Sequence, residues 1–179
     1  KKHKDLERLV LTKADQITVT SPTTKKEFQA ITSQPIEVIT NGFEEQKFQE
    51  LSLDKSFSIA HIGSLLTERN PLVLWEALRE LKEEHSAFTT DLSLVFAGVV
   101  SDAVKDSLEI FGLTEQAEMK GYIPHEDALH LQRSSQLLLL LEMDRPETKA
   151  IIPGKLFEYL QARRPIIAIG PEGSDMETI

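Results

Sequence analysis

Short runs of branched and leucine residues alternate with amphipathic helical segments along almost the whole chain, and this alternation constrains the fold more than any other feature. Phe57 to Ile62, Leu92 to Ala97, Gln136 to Leu141 and Ile166 to Ile169 are near-continuous apolar runs of strand length, and Ala117 to Lys120 is a shorter one before Gly121. Between them, Pro71 opens a helix with Leu74, Leu78 and Leu81 on one stripe, and Ser101 caps another with Val104, Leu108 and Phe111 on one face. Pro124 to Arg133 and Lys155 to Ala162 read as further helices. Strands that are apolar on both faces need cover on both faces, and the intervening helices supply it. The expected fold class is therefore α/β, a doubly wound parallel sheet.

The first part of the chain repeats the pattern on a smaller scale. Ile17 to Thr20 is a strand, Ser21-Pro22 caps a helix carrying Phe28 and Ile31, and Ile36 to Thr40 is a strand ended by Asn41-Gly42. Residues 43–55 have no periodicity and read as a linker, so the expected division is 1–42, 43–55 and 56–179. At 179 residues the chain is short for two complete α/β domains, and one domain plus a piece of another is expected. It starts at Lys1 inside a helical pattern, and a further helix is expected to begin within Asp175 to Ile179, so it reads as an excised piece.

Charge and composition narrow the function classes. A formal charge of −9 with no cluster of Lys and Arg argues against nucleic acid as a partner. The absence of cysteine excludes disulfide and thiolate chemistry and is compatible with a cytoplasmic location, the expected one. No apolar stretch approaches the roughly 20 residues of a membrane-spanning helix.

The candidate site is the run Ile152-Pro153-Gly154-Lys155-Leu156-Phe157-Glu158. Pro-Gly opens a helix after an irregular polar stretch, Lys155 sits in the first turn among backbone N–H groups expected to be free, and Glu158 follows one turn later on nearly the same face. The N–H groups and helix dipole attract an anion, while the carboxylate can accept hydrogen bonds from sugar hydroxyls. A ligand carrying both pyrophosphate and ribose satisfies both. An isolated Lys-x-x-Glu is most often a solvated surface pair; the loop, helix and buried strand around this one place it where open α/β sheets bind ligands.

Other chemistries fail on spacing. Gly63-Ser64-Leu65-Leu66-Thr67 is no dinucleotide fingerprint, and Lys149 and Leu156 break a phosphate-loop reading of Gly154-Lys155. His125 and His130 lie five apart, about 140° around a helix, so they cannot share a metal. No serine-hydrolase elbow occurs.

With these residues in view, the sequence resembles the retaining, nucleotide-sugar-dependent glycosyltransferases of group 1, or family 4, whose GT-B architecture sets two Rossmann-like domains across a cleft. Lys13-Ala14-Asp15-Gln16-Ile17-Thr18-Val19 looks like a strand near the end of the family's acceptor-binding N-terminal domain, and Ile36 to Phe43 like its closing strand and Asn-Gly turn. The remainder, 56–179, resembles the donor-binding C-terminal domain. The resemblance implies Gly63, Ser64 and Arg69 in the first loop, with Arg69 on the diphosphate; from its loop position, Arg69 is expected to be of little consequence for folding. The resemblance further implies Gly98 after the second strand, Ile123 beside the nucleobase, Gly154, Lys155, Leu156 and Phe157 on the diphosphate, and Glu158 on the ribose. Arg69, Lys155 and Glu158 are the expected catalytic residues; no metal and no cofactor are implied.

Two positions depart from the commoner family pattern. Ala150 stands where a first Glu lies eight residues before the second, so the chain looks like the branch with Pro-Gly/Ser-Lys-x-x-Glu, and Ser64 stands where relatives often carry Arg. The implied function is transfer of a sugar from a nucleotide diphosphate sugar to a saccharide or lipid-linked acceptor, as in polysaccharide biosynthesis. Peripheral membrane contact would come through parts outside this chain. Two alternatives stand: a non-catalytic α/β binding domain with a degenerate donor pocket, and a nucleotide-sugar epimerase of the same architecture.

Overall fold

The computed structural model describes residues 2–43 and 52–179. Most of the expected linker, 43–55, therefore lies outside the described residues. The chain forms two compact units, one of Lys1–Phe43, Asp144–Phe157 and Pro171–Ile179, the other of Glu44–Met143 and Glu158–Gly170.

In the first unit, α1 (Lys2–Lys13) leads into β1 (Ile17–Val19), α2 (Pro22–Gln29) and β2 (Ile36–Val38). The two strands pair in parallel, Ile17 opposite Ile36 and Val19 opposite Val38, and Leu11, Ile17, Val19 and Ile36 form a small core. Ser21 caps α2 by accepting the Thr24 N–H at 3.3 Å, with Pro22 in the first turn. A second cap, a carboxylate, comes from far along the chain: Thr23 donates its backbone N–H and its hydroxyl to Asp175, both at 2.9 Å. Residues 171–179 form turns instead of the expected helix. Asp175 closes onto the positive end of α2, which a carboxylate in a helix of its own could not do as easily.

The second unit is built on a five-stranded parallel sheet. Its elements are β3 (Phe57–Ile62), α3 (Leu72–Glu84), α4 (Ser86–Asp91), β4 (Leu92–Ala97), α5 (Asp102–Ile110), β5 (Ala117–Gly121), α6 (His125–Ser134), β6 (Leu137–Leu141), α7 (Lys155–Ala162) and β7 (Ile166–Ile169). The first turn of α7 groups with the first unit and the rest with the second. Strand order is β5-β4-β3-β6-β7, every pair parallel. The order reverses between β3 and β6, and the carboxyl ends of those two strands form the topological switch point at which sheets of this kind bind ligands.

The core joins Ile59, Leu94, Phe96, Leu139 and Leu141 of the sheet to Trp75, Leu78, Val104 and Leu108 of the helices. The stripe expected on α3 is rotated: Trp75 and Leu78 are buried, whereas Leu81 is 39% exposed. Trp75 is the reason. It is the larger apolar body, and its indole N–H finds a partner in Asn70 Oδ1 at 2.7 Å, so it takes the core-facing position. The short α4, without apolar periodicity, had no signature in the sequence.

Candidate functional site

The loops leaving β3 and β4 are welded by backbone contacts. Gly63 donates to Ala97 O at 2.7 Å, Leu65 to Val99 O at 2.8 Å, and Ser101 back to Leu65 O at 3.0 Å. Gly98 donates to Gly121 O at 2.7 Å, so the carboxyl ends of three neighbouring strands are tied together. Gly63 and Gly98 have φ of 118° and 126°, and a Cβ on Gly98 would lie 2.5 Å from Gly63 O. Both demands select glycine, and they give Gly98 a role in holding the Gly63 loop. Ser64 is exposed on that loop.

Beyond it, a 3₁₀ turn, Thr67–Arg69, delivers Arg69. Its guanidinium is not directed to open solvent. Arg69 Nε and Nη2 donate to Glu142 Oε1 at 3.3 and 3.1 Å, and Nη2 reaches Oε2 at 3.4 Å. Glu142 directly follows β6, so the pair spans the switch point. The Glu142 side chain is 3% exposed against 27% for Arg69, and Oε1 also accepts the Met143 N–H at 2.9 Å. The view of Arg69 as a loop residue of little consequence for folding is thereby corrected: removing it strands a buried carboxylate.

Glu158 is placed by its neighbour in sequence. Tyr159 is fully buried, and its hydroxyl accepts the Ile62 N–H at 2.9 Å, which pins α7 to the carboxyl end of β3. Burial pushes the Tyr159 phenol well above its ordinary range; the nearby Glu158 charge adds to this, and the Ile62 N–H opposes it. Glu158 itself is half-buried, and Glu158 Oε2 accepts from Gln132 Nε2 of α6 at 3.0 Å. Gln132 is 1% exposed, a polar side chain committed to orienting that carboxylate.

The start of α7 differs from expectation in one respect. Leu156 and Phe157 do not present open N–H groups, because they donate to Pro153 O at 2.9 Å and Gly154 O at 3.2 Å in a tight first turn. Their side chains are buried, Gly154 is exposed and Lys155 is half-buried. Gly154 lies within the first unit beside Asn41, whose side-chain nitrogen would be 4.0 Å from a Cβ there.

Ile123 lines a polar cavity of about 590 Å³ in the second unit, with Ser58, Ser93, Lys120, Asp127 and His130 also in its wall. Arg69, Glu142 and Glu158 do not line it. The structure thus brings Arg69 and Glu158 to the carboxyl ends of β3 and β6, Arg69 by way of Glu142 and Glu158 by way of Tyr159. Glu142 and Gln132 were missed in the sequence. Each left a faint signal: a carboxylate closing an all-leucine strand, and a glutamine in the apolar stripe Ala128, Leu131, Gln132.

A Rossmann-like parallel sheet with its polar groups gathered at the switch point defines the class, the domain type of GT-B glycosyltransferases. Over residues 42–179 the chain matches the family Glycosyl transferases group 1, and it belongs to that family. Among solved structures it is similar to a mutant of S. aureus TarM in complex with Fondaparinux, alpha-GlcNAc-glycerol and UDP, at 14% identity and TM-score 0.66, covering 94% of this chain and 32% of that one. The pneumococcal O-GlcNAc transferase GtfA in complex with UDP and GlcNAc matches at 16% identity and TM-score 0.66, over 97% of this chain and 34% of that one. A UDP-forming alpha,alpha-trehalose-phosphate synthase from Burkholderia vietnamiensis matches at 8% identity and TM-score 0.60, over 97% and 49%. The chain thus spans about a third of the length of the first two. No curated protein matches its sequence. Among the described residues no helix is long and apolar enough to cross a membrane.

Proposed function

We propose that this chain is the donor-binding portion of a retaining glycosyltransferase that takes its sugar from a nucleotide diphosphate sugar. In this reading residues 1–42 end the acceptor-binding domain, 43–55 link, and 56–179 bind the donor. The observation that carries it is the pair of held groups at the switch point, a guanidinium fixed by Glu142 and a carboxylate fixed by Gln132 and the Tyr159 anchor. Arg69 would meet diphosphate oxygens and Glu158 the ribose hydroxyls, with Lys155 in the first turn of the same helix as a second cation. Breaking the glycosidic bond builds negative charge on the departing diphosphate, and fixed cations stabilise that charge more in the transition state than in the donor. Gly63, Ser64 and Gly98 would shape the loop wall, and Ile123 would meet the base. The acceptor is a saccharide or a lipid-linked acceptor, the setting is cytoplasmic, and no cofactor or metal takes part in this scheme.

Ala150 favours a second reading, a binding domain that retains the pocket without transfer. The test is thermal shift with UDP, GDP, ADP and their monophosphates. One diphosphate should raise the melting temperature clearly more than its monophosphate; equal shifts, or none, would remove the donor assignment.

A further inference from the structure

Arg69 and Glu142 form a pair that the proposed reaction leaves half explained, because a cation meant for phosphate is already engaged by a buried carboxylate. The geometry resolves this. Glu142 takes one edge of the guanidinium, Nε and one hydrogen of Nη2. A planar guanidinium carries five N–H donors in a fixed fork, so the edge that includes Nη1 stays geometrically distinct from the one Glu142 holds. Glu142 in turn is fixed: it directly follows β6, its own backbone N–H donates to Ile169 O at 2.9 Å, and its Oε1 receives the Met143 N–H. The carboxylate is therefore part of the sheet end and no more adjustable than the strand.

We infer that Glu142 is a positioning residue which holds Arg69 so that its outer edge faces the donor diphosphate. The inference rests on the reading of Arg69 as a diphosphate ligand. A long arginine on a 3₁₀ turn would otherwise lose rotamer freedom on binding, and the buried carboxylate removes that loss beforehand. Charge alone predicts the opposite outcome. An anion next to the diphosphate site repels the ligand, so if Glu142 merely competed for Arg69, neutralising it would tighten binding.

Calorimetric titration of UDP, GDP and ADP and of their monophosphates separates these possibilities across the parent, Glu142→Gln, Arg69→Gln and the double variant. Glu142→Gln should weaken diphosphate binding by about tenfold and monophosphate binding far less, so the ratio between the two falls. In the Arg69→Gln background the same change should alter affinity by less than about twofold, because Glu142 acts through Arg69. If the glutamine variant does not fold, Glu142→Asp, which keeps the charge but withdraws it, should show the same selective loss. Tighter binding by Glu142→Gln, or an unchanged diphosphate-to-monophosphate ratio in a variant that is merely less stable, overturns the inference while leaving the donor site in place. Parent-like binding by Arg69→Gln fails differently: it removes Arg69 from the diphosphate, and the positioning role falls with it.

Discussion

In the proposed reading Glu158 divides its oxygens between two tasks, of which the structure contains one. Oε2 receives the amide of Gln132, and the proposed ribose contacts would use the remaining acceptor capacity. Exchanging the carboxylate for an amide keeps shape and helix propensity nearly constant. Glu158→Gln should then lose about tenfold to a hundredfold in nucleoside diphosphate affinity by titration, at roughly 1.5–3 kcal/mol for hydrogen bonds to a charged group. A 2′,3′-dideoxyribose analogue should bind the parent weakly and the variant almost as well; equal losses for both ligands would place Glu158 elsewhere than on the ribose. The placement of Arg69 in the first loop and of Glu158 one turn into a helix was legible in the sequence, Arg69 being singled out by the family resemblance and Glu158 by its helix register. Their holders were not, since Glu142 and Gln132 lie far from them in the chain and only folding makes them neighbours.

Strands were the most legible elements. Phe57–Ile62, Leu92–Ala97 and Ile166–Ile169 match expectation residue for residue; in the first two, burial on both faces leaves an apolar run with abrupt ends, and the third, half-buried at the sheet edge, is marked by its β-branched residues after Pro165. The rotated α3 and the turns at 171–179 were not legible: Trp75 packs edge-on against Phe96 of β4, and Asp175 is held by Thr23, partners that only folding brings near. Tyr159, which pins α7 to β3, makes a prediction at this scale. The native state holds its phenol protonated above the ordinary range, whereas the unfolded chain ionises near pH 10. Above pH 10 the unfolded state therefore binds fewer protons, and stability falls as pH rises. Tyr159→Phe should flatten that alkaline fall in denaturant titrations while costing about 1–3 kcal/mol at neutral pH, where the Ile62 N–H loses its acceptor. An alkaline limb of unchanged slope would mean that this phenol is not the group responsible.

At the scale of the molecule, the proposed reading assigns donor binding to this chain and acceptor binding mainly to sequence beyond it. Purified, the chain should bind a nucleoside diphosphate yet transfer no sugar to any acceptor in a radiolabel assay, since transfer needs an acceptor held near attack distance and water excluded. Measurable transfer would refute that division of labour. The sheet also has a history written into it. β6 is five consecutive leucines, four of them buried, and it slots beside β3, with Leu137 against Ile59 and Leu138 against Ala60. During synthesis β3 leaves the ribosome long before its partner exists, and the leucine run then emerges with both faces bare. Until it pairs with β3 it is an uncharged, sticky segment, a target for chaperones and for other nascent copies. The two strands whose ends carry the proposed donor site are thus the last central pair to meet, and yield in the cell would depend on how quickly they do.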